Sequence, residues 1–459
     1  MVKDEDRTMK KIIKNGIVVT MNPAGDVWNH GYVIFEGTKI LAAGQEDELE
    51  KKLQEMTAQG NFKAGEEFEE IDAKRAIVIP GLVNTHSHLG MVPFRGLGDD
   101  CKDRLRVFLL PMENQEMDAE MAALSSRYAV AEMLLSGITT VLDMYYFEEV
   151  VAKVMDEMGI RGIAGETVME TDSCDSENTD QAIERGLALI AAYKDHPRVS
   201  GTLTPHGTTT CSPETLKRVY EEDVKAGSVF TLHTAEMDYE MTQIREQYGM
   251  TPVEFLEHIG VLGPNTLTAH TIHATERDVE ILAKHGASVA HCIASNTKAG
   301  KGVAPVSLMH KHGISVGFGT DGPASGNTLD LFIQMRMCEN FQKTTLHDRS
   351  ALPAKEVVSM ATIEGARALG FGDVTGSIEP GKEADLVLIE TDSPNMFPVY
   401  DPYSAIVYSA SAANVRDVFV AGECLVKEKQ LVRADFAKIR DELREKMERT
   451  KFGEMGNMV

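Results

Sequence analysis

Ile77-Val78-Ile79-Pro80-Gly81-Leu82-Val83-Asn84-Thr85-His86-Ser87-His88 runs from an apolar stretch into two histidines separated by a single residue. Side chains on a strand repeat with period two, so His86 and His88 point the same way. Neutral imidazole is the commonest side-chain ligand for zinc and similar ions, and a parallel pair of imidazoles therefore predicts a metal site.

The same arrangement, a short apolar strand ending in a polar residue and followed by a helix-length segment, recurs eight times downstream of residue 76. The strands read as 77–83, 138–142, 160–164, 199–203, 229–232, 266–269, 287–290 and 314–318, ending near His86, Asp143, Glu166, His206, His233, His270, His291 and Asp321. Alternation of this kind predicts parallel strands with crossover helices, and eight units are what a closed (β/α)8 barrel needs. Barrel enzymes work at the carboxyl ends of their strands, where these His, Asp and Glu residues gather. Outside the repeat, short strands lie between Lys11 and Gln45 and return after the turn Glu379-Pro380-Gly381. Neither end alone offers enough strands to bury a face, so residues 1–75 and 377–459 are expected to form one discontinuous β-sandwich beside a barrel of residues 76–376. The last helix, with Phe436, Ile439, Leu443 and Met447 at helical spacing, is expected to lie against that sandwich. The charged 51–70 segment carries no chemistry.

His86, His88 and His233 offer three imidazoles, and Asp321 offers a carboxylate. Barrel closure brings such residues together around one divalent cation, leaving room for a water whose pKa the ion lowers from ~15.7 to about 7. Zinc suits this donor set, and iron(II) or manganese(II) take the same ligands. Glu236, three residues past His233, is placed to lean over the ion and shuttle a proton between water and a departing amine. His270 ends the next strand and is expected to hydrogen-bond the water, the alternative being a fourth nitrogen ligand. His30, His196, His258, His273, His285, His310, His312 and His347 read as surface or satisfied core positions.

With 46 basic against 71 acidic residues, the formal charge of −25 repels phosphate backbones and acidic membrane surfaces, so nucleic acid is excluded as a partner. Six cysteines without a C-x-x-C pair fit a reducing cytoplasm and no thiolate metal cluster. No apolar run approaches a membrane span, and the first twenty residues lack the pattern of an export signal.

In combination these motifs resemble the amidohydrolase superfamily, in the branch of mononuclear purine, pterin and triazine deaminases and chlorohydrolases. The resemblance spans nearly the whole chain. It rests on Pro80 to His88, on His233-Thr234-Ala235-Glu236, and on Gly319-Thr320-Asp321-Gly322. Ser295-Asn296 with Gly302 to Val306, and Gly376-Ser377-Ile378 with Ala384-Asp385-Leu386-Val387, add to it. It implies His86, His88, His233 and Asp321 as ligands, Glu236 and His270 as catalytic helpers, Asp321 as a second proton acceptor, and a homo-oligomer. A middle-strand lysine that would bridge two metals is missing, and Glu166 is the remaining bridging candidate.

Within the branch, Phe94 to Asp100, Leu110-Pro111-Met112-Glu113 and Thr204-Pro205-His206 resemble the deaminases of methylthioadenosine and S-adenosylhomocysteine. That likeness implies Glu113 as a hydroxyl acceptor and His206 as a partner of the substrate ring. Two departures stand out: the only tryptophan, Trp28, lies outside the barrel, and acids crowd the 165–172 segment where homocysteine-carboxylate users place arginine. Repulsion there predicts a neutral or cationic aminated heterocycle and poor use of S-adenosylhomocysteine. The 89–117 loop is the expected substrate lid. Displacement of chloride by the same water, or an inactive barrel scaffold, are the competing readings.

Overall fold

The computed structural model describes residues 9–60 and 68–452, so the first eight residues and the centre of the 51–70 segment lie outside the described residues. The chain begins with β1 (Lys10–Val19), β2 (Val27–Glu36), β3 (Lys39–Gln45), β4 (Phe68–Asp72) and β5 (Ile77–Pro80). It then runs through β6 (Leu82–Ser87), β7 (Ile138–Tyr145), β8 (Arg161–Val168), β9 (Val199–Pro205), β10 (Phe230–Thr234), β11 (Thr266–His270), β12 (Ser288–His291) and β13 (Val316–Phe318). It returns through β14 (Leu386–Ile389), β15 (Val415–Val420), β16 (Glu423–Lys427) and β17 (Gln430–Leu431).

Strands β6 to β13 form an eight-stranded parallel sheet in the order β10-β11-β12-β13-β6-β7-β8-β9. A parallel bridge between Gly207 and His233, with the His233 amide donating to the His206 carbonyl at 3.1 Å, joins the two ends and closes the barrel. Crossover helices follow from local signals. In the helix Pro213–Ala226, the Ser212 side chain accepts from the Thr215 amide, proline occupies the first turn, and Gly227 ends the helix in the left-handed region at φ 70°. The apolar faces of these helices pack on the outside of the barrel. Its floor is filled by Val83, Leu142, Ile163 and Leu267 against Ala366, Ala368 and Leu369.

The two chain ends meet in one nine-stranded mixed sheet, β17-β16-β15-β14-β5-β1-β2-β3, with β4 paired to β1. Phe35 on β2 and Phe419 on β15 stand four strands apart in that order, yet their rings are 5.6 Å apart. Four flat strand spacings are about 19 Å, so the sheet folds over on itself and encloses a sandwich-like core that includes Ile13, Val33, Val78 and Leu386.

Two expectations need correction. The run 77–83 is not one barrel strand. Ile77–Pro80 pairs with β1 and β14 in the mixed sheet, and the barrel starts at Leu82. Gly81 makes the crossing: a Cβ there would lie 2.0 Å from the Thr139 hydroxyl, a distance no side chain tolerates. The last helix, Phe436–Glu448, does not lie on the terminal sheet as expected. It packs on the barrel helix Ala119–Leu135, with Phe436 5.2 Å from Tyr128 and Lys446 bonded to Asp118 and Glu120.

The barrel's amino-terminal face is tied to the mixed sheet by a buried charge. Arg161, at the start of β8, is 2 % exposed and bonds Asp385 through Nε at 3.0 Å and Nη2 at 3.2 Å, and Glu383 at 2.5 Å. The Asp385 carboxylate also accepts the Ala421 amide at 2.6 Å. Removing one partner leaves a buried charge uncompensated. Arg161→Met is therefore expected to lower unfolding free energy by about 3–5 kcal/mol in urea titrations, with metal stoichiometry of the folded protein unchanged, since the substitution lies at the far end of the barrel.

Candidate active site

The carboxyl ends of the barrel strands open into a cavity of about 910 Å³. Two of its lining residues, His88 and His233, bring their rings to 4.8 and 4.9 Å from that of His86, which is fully buried and has neither ring nitrogen hydrogen-bonded. Burying a polar ring without a partner is costly unless something outside the protein satisfies it. The donor atoms of His86, His88 and Asp321 lie within 4.8 Å of one another, as do those of His86, His233 and His270. Residues separated widely in the chain thus meet at His86.

Backbone geometry sets each of them. His88 Nδ1 lies 2.5 Å from the Met144 carbonyl and His233 Nδ1 lies 2.6 Å from the His206 carbonyl. A carbonyl only accepts, so both rings donate from Nδ1 and turn Nε2 toward the cluster, the orientation that a metal ligand needs. Asp321 follows β13 at φ 60°, with its amide donating to the His86 carbonyl at 3.0 Å. His270 ends β11 at φ 68° and bonds Asn296 Oδ1 through Nδ1 at 2.9 Å. Left-handed backbone at non-glycine residues is strained, and here it occurs at two of the clustered groups.

Burial first, and then the neighbouring imidazoles, hold His86 and His233 well below 6.5, in the neutral form that binds metal. Burial alone would lower His88 and raise Asp321. Their contact, Nε2 to Oδ1 at 3.2 Å, reverses both, taking His88 to about 9 and Asp321 well below the carboxylate range. A proton shared in this way is what a divalent cation displaces. Three neutral or neutralisable imidazoles, the unpartnered His86 among them, and one carboxylate fit a single divalent ion; the donor set is nitrogen-rich and contains no thiolate.

Glu236 stands beside the cluster, its Oε2 3.7 Å from His270 Nε2. The chain turns at Ala235 (φ 49°), and the Glu240 carboxylate receives the amides of Ala235 and Glu236 at 3.0 and 2.9 Å, fixing the backbone from which Glu236 projects. Burial alone would raise Glu236; nearby His270 and Lys301 outweigh it and take it to about 2. Glu113, 3 % exposed, lines the same cavity from the helix Leu110–Glu116, and Tyr145 donates to it at 2.6 Å. Burial pushes its carboxyl up to about 7. His206 also lines the cavity, bonded through Nδ1 to Thr210 at 3.0 Å and pushed down to about 4 by burial.

Several strand-end residues singled out in the sequence face elsewhere. Glu166 pairs with Arg185 at 3.1 Å and accepts the Glu148 amide, outside the cavity, so it offers no bridge to a second metal. Asp143 accepts the Leu89 amide at 2.7 Å. His291 is buried with both nitrogens unpartnered and does not line the cavity. The acids of the 165–172 segment also turn away. Glu170 bonds the Ser212 amide at 2.8 Å and the Thr215 hydroxyl at 2.7 Å, and only Thr167 of this segment reaches the cavity. The expected repulsion of a negative substrate tail thus loses its geometric basis. Missed in the sequence were Tyr145, hidden in a β-strand, and Lys301, whose ammonium lies 2.5 Å from Glu236. The one available signal for Lys301 was its placement between two glycines beside the Ser295-Asn296 motif.

Residues 77–425 match the description of the amidohydrolase family. The chain is 33% identical over 435 residues to a 5-methylthioadenosine/S-adenosylhomocysteine deaminase of Syntrophobacter fumaroxidans, covering 94% of this chain and 96% of that protein. It is 36% identical to a 5'-deoxyadenosine deaminase of Methanococcoides burtonii, covering 92% of this chain and 93% of that protein. Among solved structures, an adenosine deaminase of Xanthomonas campestris with bound zinc superposes with a TM-score of 0.90 at 30% identity, over 96% of this chain and 99% of that one.

Chelator-stripped protein is expected to take up one equivalent of zinc in a titration followed by elemental analysis. His86→Ala, which removes the donor common to both triplets, is expected to weaken uptake by at least about a hundredfold. Uptake of two equivalents, or full uptake by the variant, contradicts the single site.

Proposed function

The chain belongs to the amidohydrolase family, and from that membership we propose a zinc-dependent deaminase that replaces the exocyclic amine of a purine-nucleoside-like substrate by oxygen and releases ammonia. His86, His88, His233 and Asp321 hold the cation. When bound there, a divalent ion supplies a water nucleophile near neutral pH. The carrying observation is the convergence of these donors on an unpartnered, buried His86, with the carboxylate of Glu236 in the same cavity.

The remaining chemistry belongs to side chains. Water adds to the amine-bearing carbon; Asp321 takes its proton and His270 holds its oxygen through the bare Nε2, the other nitrogen being fixed by Asn296. The proton taken by Asp321 then reaches the amine, and Glu236 delivers the water's other proton to the adjacent ring nitrogen, so that the carbon–nitrogen bond breaks to neutral ammonia. With its carboxylate strongly ionised beside Lys301, Glu236 acquires that proton from the attacking water within the reaction rather than from solvent.

A nucleoside-sized substrate is supported by the cavity, which reaches from the cluster past His206 to Glu113. Glu113, held at one oxygen by Tyr145, offers the other to a hydroxyl, and His206 offers a ring nitrogen to the heterocycle. The family relatives whose names specify adenosine derivatives support the same class. The segment leading into the helix that carries Glu113 is held by Arg104, a cavity-lining residue that donates to the carbonyls of Leu97, Ala324 and Phe94 at 2.8, 2.8 and 3.2 Å. We also read the chain as a cytoplasmic homo-oligomer; its six cysteines are unpaired, which suits a reducing compartment.

Screening ammonia release across adenosine derivatives, guanines, pterins and aminotriazines tests the substrate class; turnover restricted to bare bases contradicts it. Glu236→Gln is expected to retain zinc while kcat falls by roughly a hundredfold to ten-thousandfold. Glu113→Gln is expected to raise KM for a nucleoside but not for the corresponding free base, and equal changes on both argue against a hydroxyl contact.

A further inference from the structure

One short segment after β12 touches each proton-handling group. Ser295 donates to Asp321 Oδ2 at 2.6 Å, Asn296 holds His270 at 2.9 Å, and Lys301 Nζ lies 2.5 Å from Glu236 Oε1. Ser295 and Asn296 sit in the helix Ile293–Lys298, whereas Lys301 sits beyond it in a turn built to aim it. The Lys301 amide donates to the Asn296 carbonyl at 2.9 Å, and the flanking Gly300 and Gly302 adopt φ 67° and 124°. The second of these values is open almost only to glycine, and a Cβ there would lie 3.0 Å from Ile272.

We propose that Lys301 is a positioning residue for Glu236: it grips Oε1 so that Oε2 alone faces the reacting atoms. A glutamate has three side-chain torsions and two equivalent oxygens, so an unrestrained carboxylate spreads over many orientations, few of them productive. Lys301 removes that freedom. Its side chain is 21% exposed and that of Glu236 12%, so the pair is shielded from the screening that makes surface ion pairs weak. The split is visible in the geometry, with Oε1 on the ammonium and Oε2 3.7 Å from His270 Nε2. Misplacing a reacting group by about 1 Å costs on the order of a hundredfold in rate, which sets the scale of the effect.

The inference rests on the proposed role of Glu236, and the zinc-loaded full chain separates the two. Lys301→Ala is expected to lower kcat by about tenfold to a hundredfold, with KM within about threefold and zinc content unchanged. Added methylammonium is expected to restore part of kcat in a saturable manner, and Lys301→Arg to retain more activity than Lys301→Ala. A kcat within about twofold of the parent, a raised KM at constant kcat, or loss of zinc in Lys301→Ala overturns the assignment, because each places the lysine outside the catalytic alignment. An inactive Glu236→Gln beside a fully active Lys301→Ala defeats this inference alone, while an active Glu236→Gln defeats the reading of the site.

Discussion

The seam between β6 and β13 is where the first and last strands of the barrel meet, and the active site depends on it. Only one ladder pair, Phe318 with Asn84, joins the two strands directly. Just past β13, the Asp321 amide adds a backbone bond to the His86 carbonyl at 3.0 Å, and side chains supply the rest. Asn84 donates to the Thr320 hydroxyl at 2.7 Å and accepts the Thr320 amide at 3.0 Å across 236 residues, while Thr85 donates to the Phe318 carbonyl at 2.9 Å. All of these atoms are buried, so each bond lost would leave an unsatisfied polar group. By locking this register the seam sets Asp321 against His88 and beside His86.

Such a cluster works against the stability of the metal-free fold. Three imidazoles are held neutral or paired in a low-dielectric interior, His86 has no partner, and His270 and Asp321 adopt left-handed backbone. The offset lies at the opposite end of the barrel, where Arg161, Asp385 and Glu383 join it to the mixed sheet, and in the packed shell between strands and helices. Division of this kind lets the carboxyl ends carry strain and charge while the amino ends carry cohesion.

Much of this was legible in the sequence because it obeys simple periods. The two-residue spacing of His86 and His88, and the recurrence of polar residues after apolar runs, report strand direction and strand end directly. The likeness of His233 to Glu236 and of Gly319 to Gly322 to family motifs supplied the remaining clustered groups. What escaped depends on three-dimensional contact. Ile77 to Val83 reads as one apolar run because periodicity does not register a chain changing sheets at a glycine. The acids at 166 and 170 were read by charge alone, although Arg185, Ser212 and Thr215, which engage them, lie on other elements. Lys301 drew no reading, since nothing local says that its ammonium reaches a carboxylate 65 residues away. The final helix was assigned a neighbour from its amphipathic stripe, which reports that a face is buried but not against what.

The central claim is that one divalent cation sits among His86, His88, His233 and Asp321. Diffraction data collected on either side of the zinc absorption edge, from crystals of protein reconstituted with zinc, test it most directly. The account predicts a single anomalous peak at the carboxyl ends of β6 and β10, within bonding distance of those three imidazoles and that carboxylate. Two peaks of comparable height, or one peak held by other residues, would contradict it.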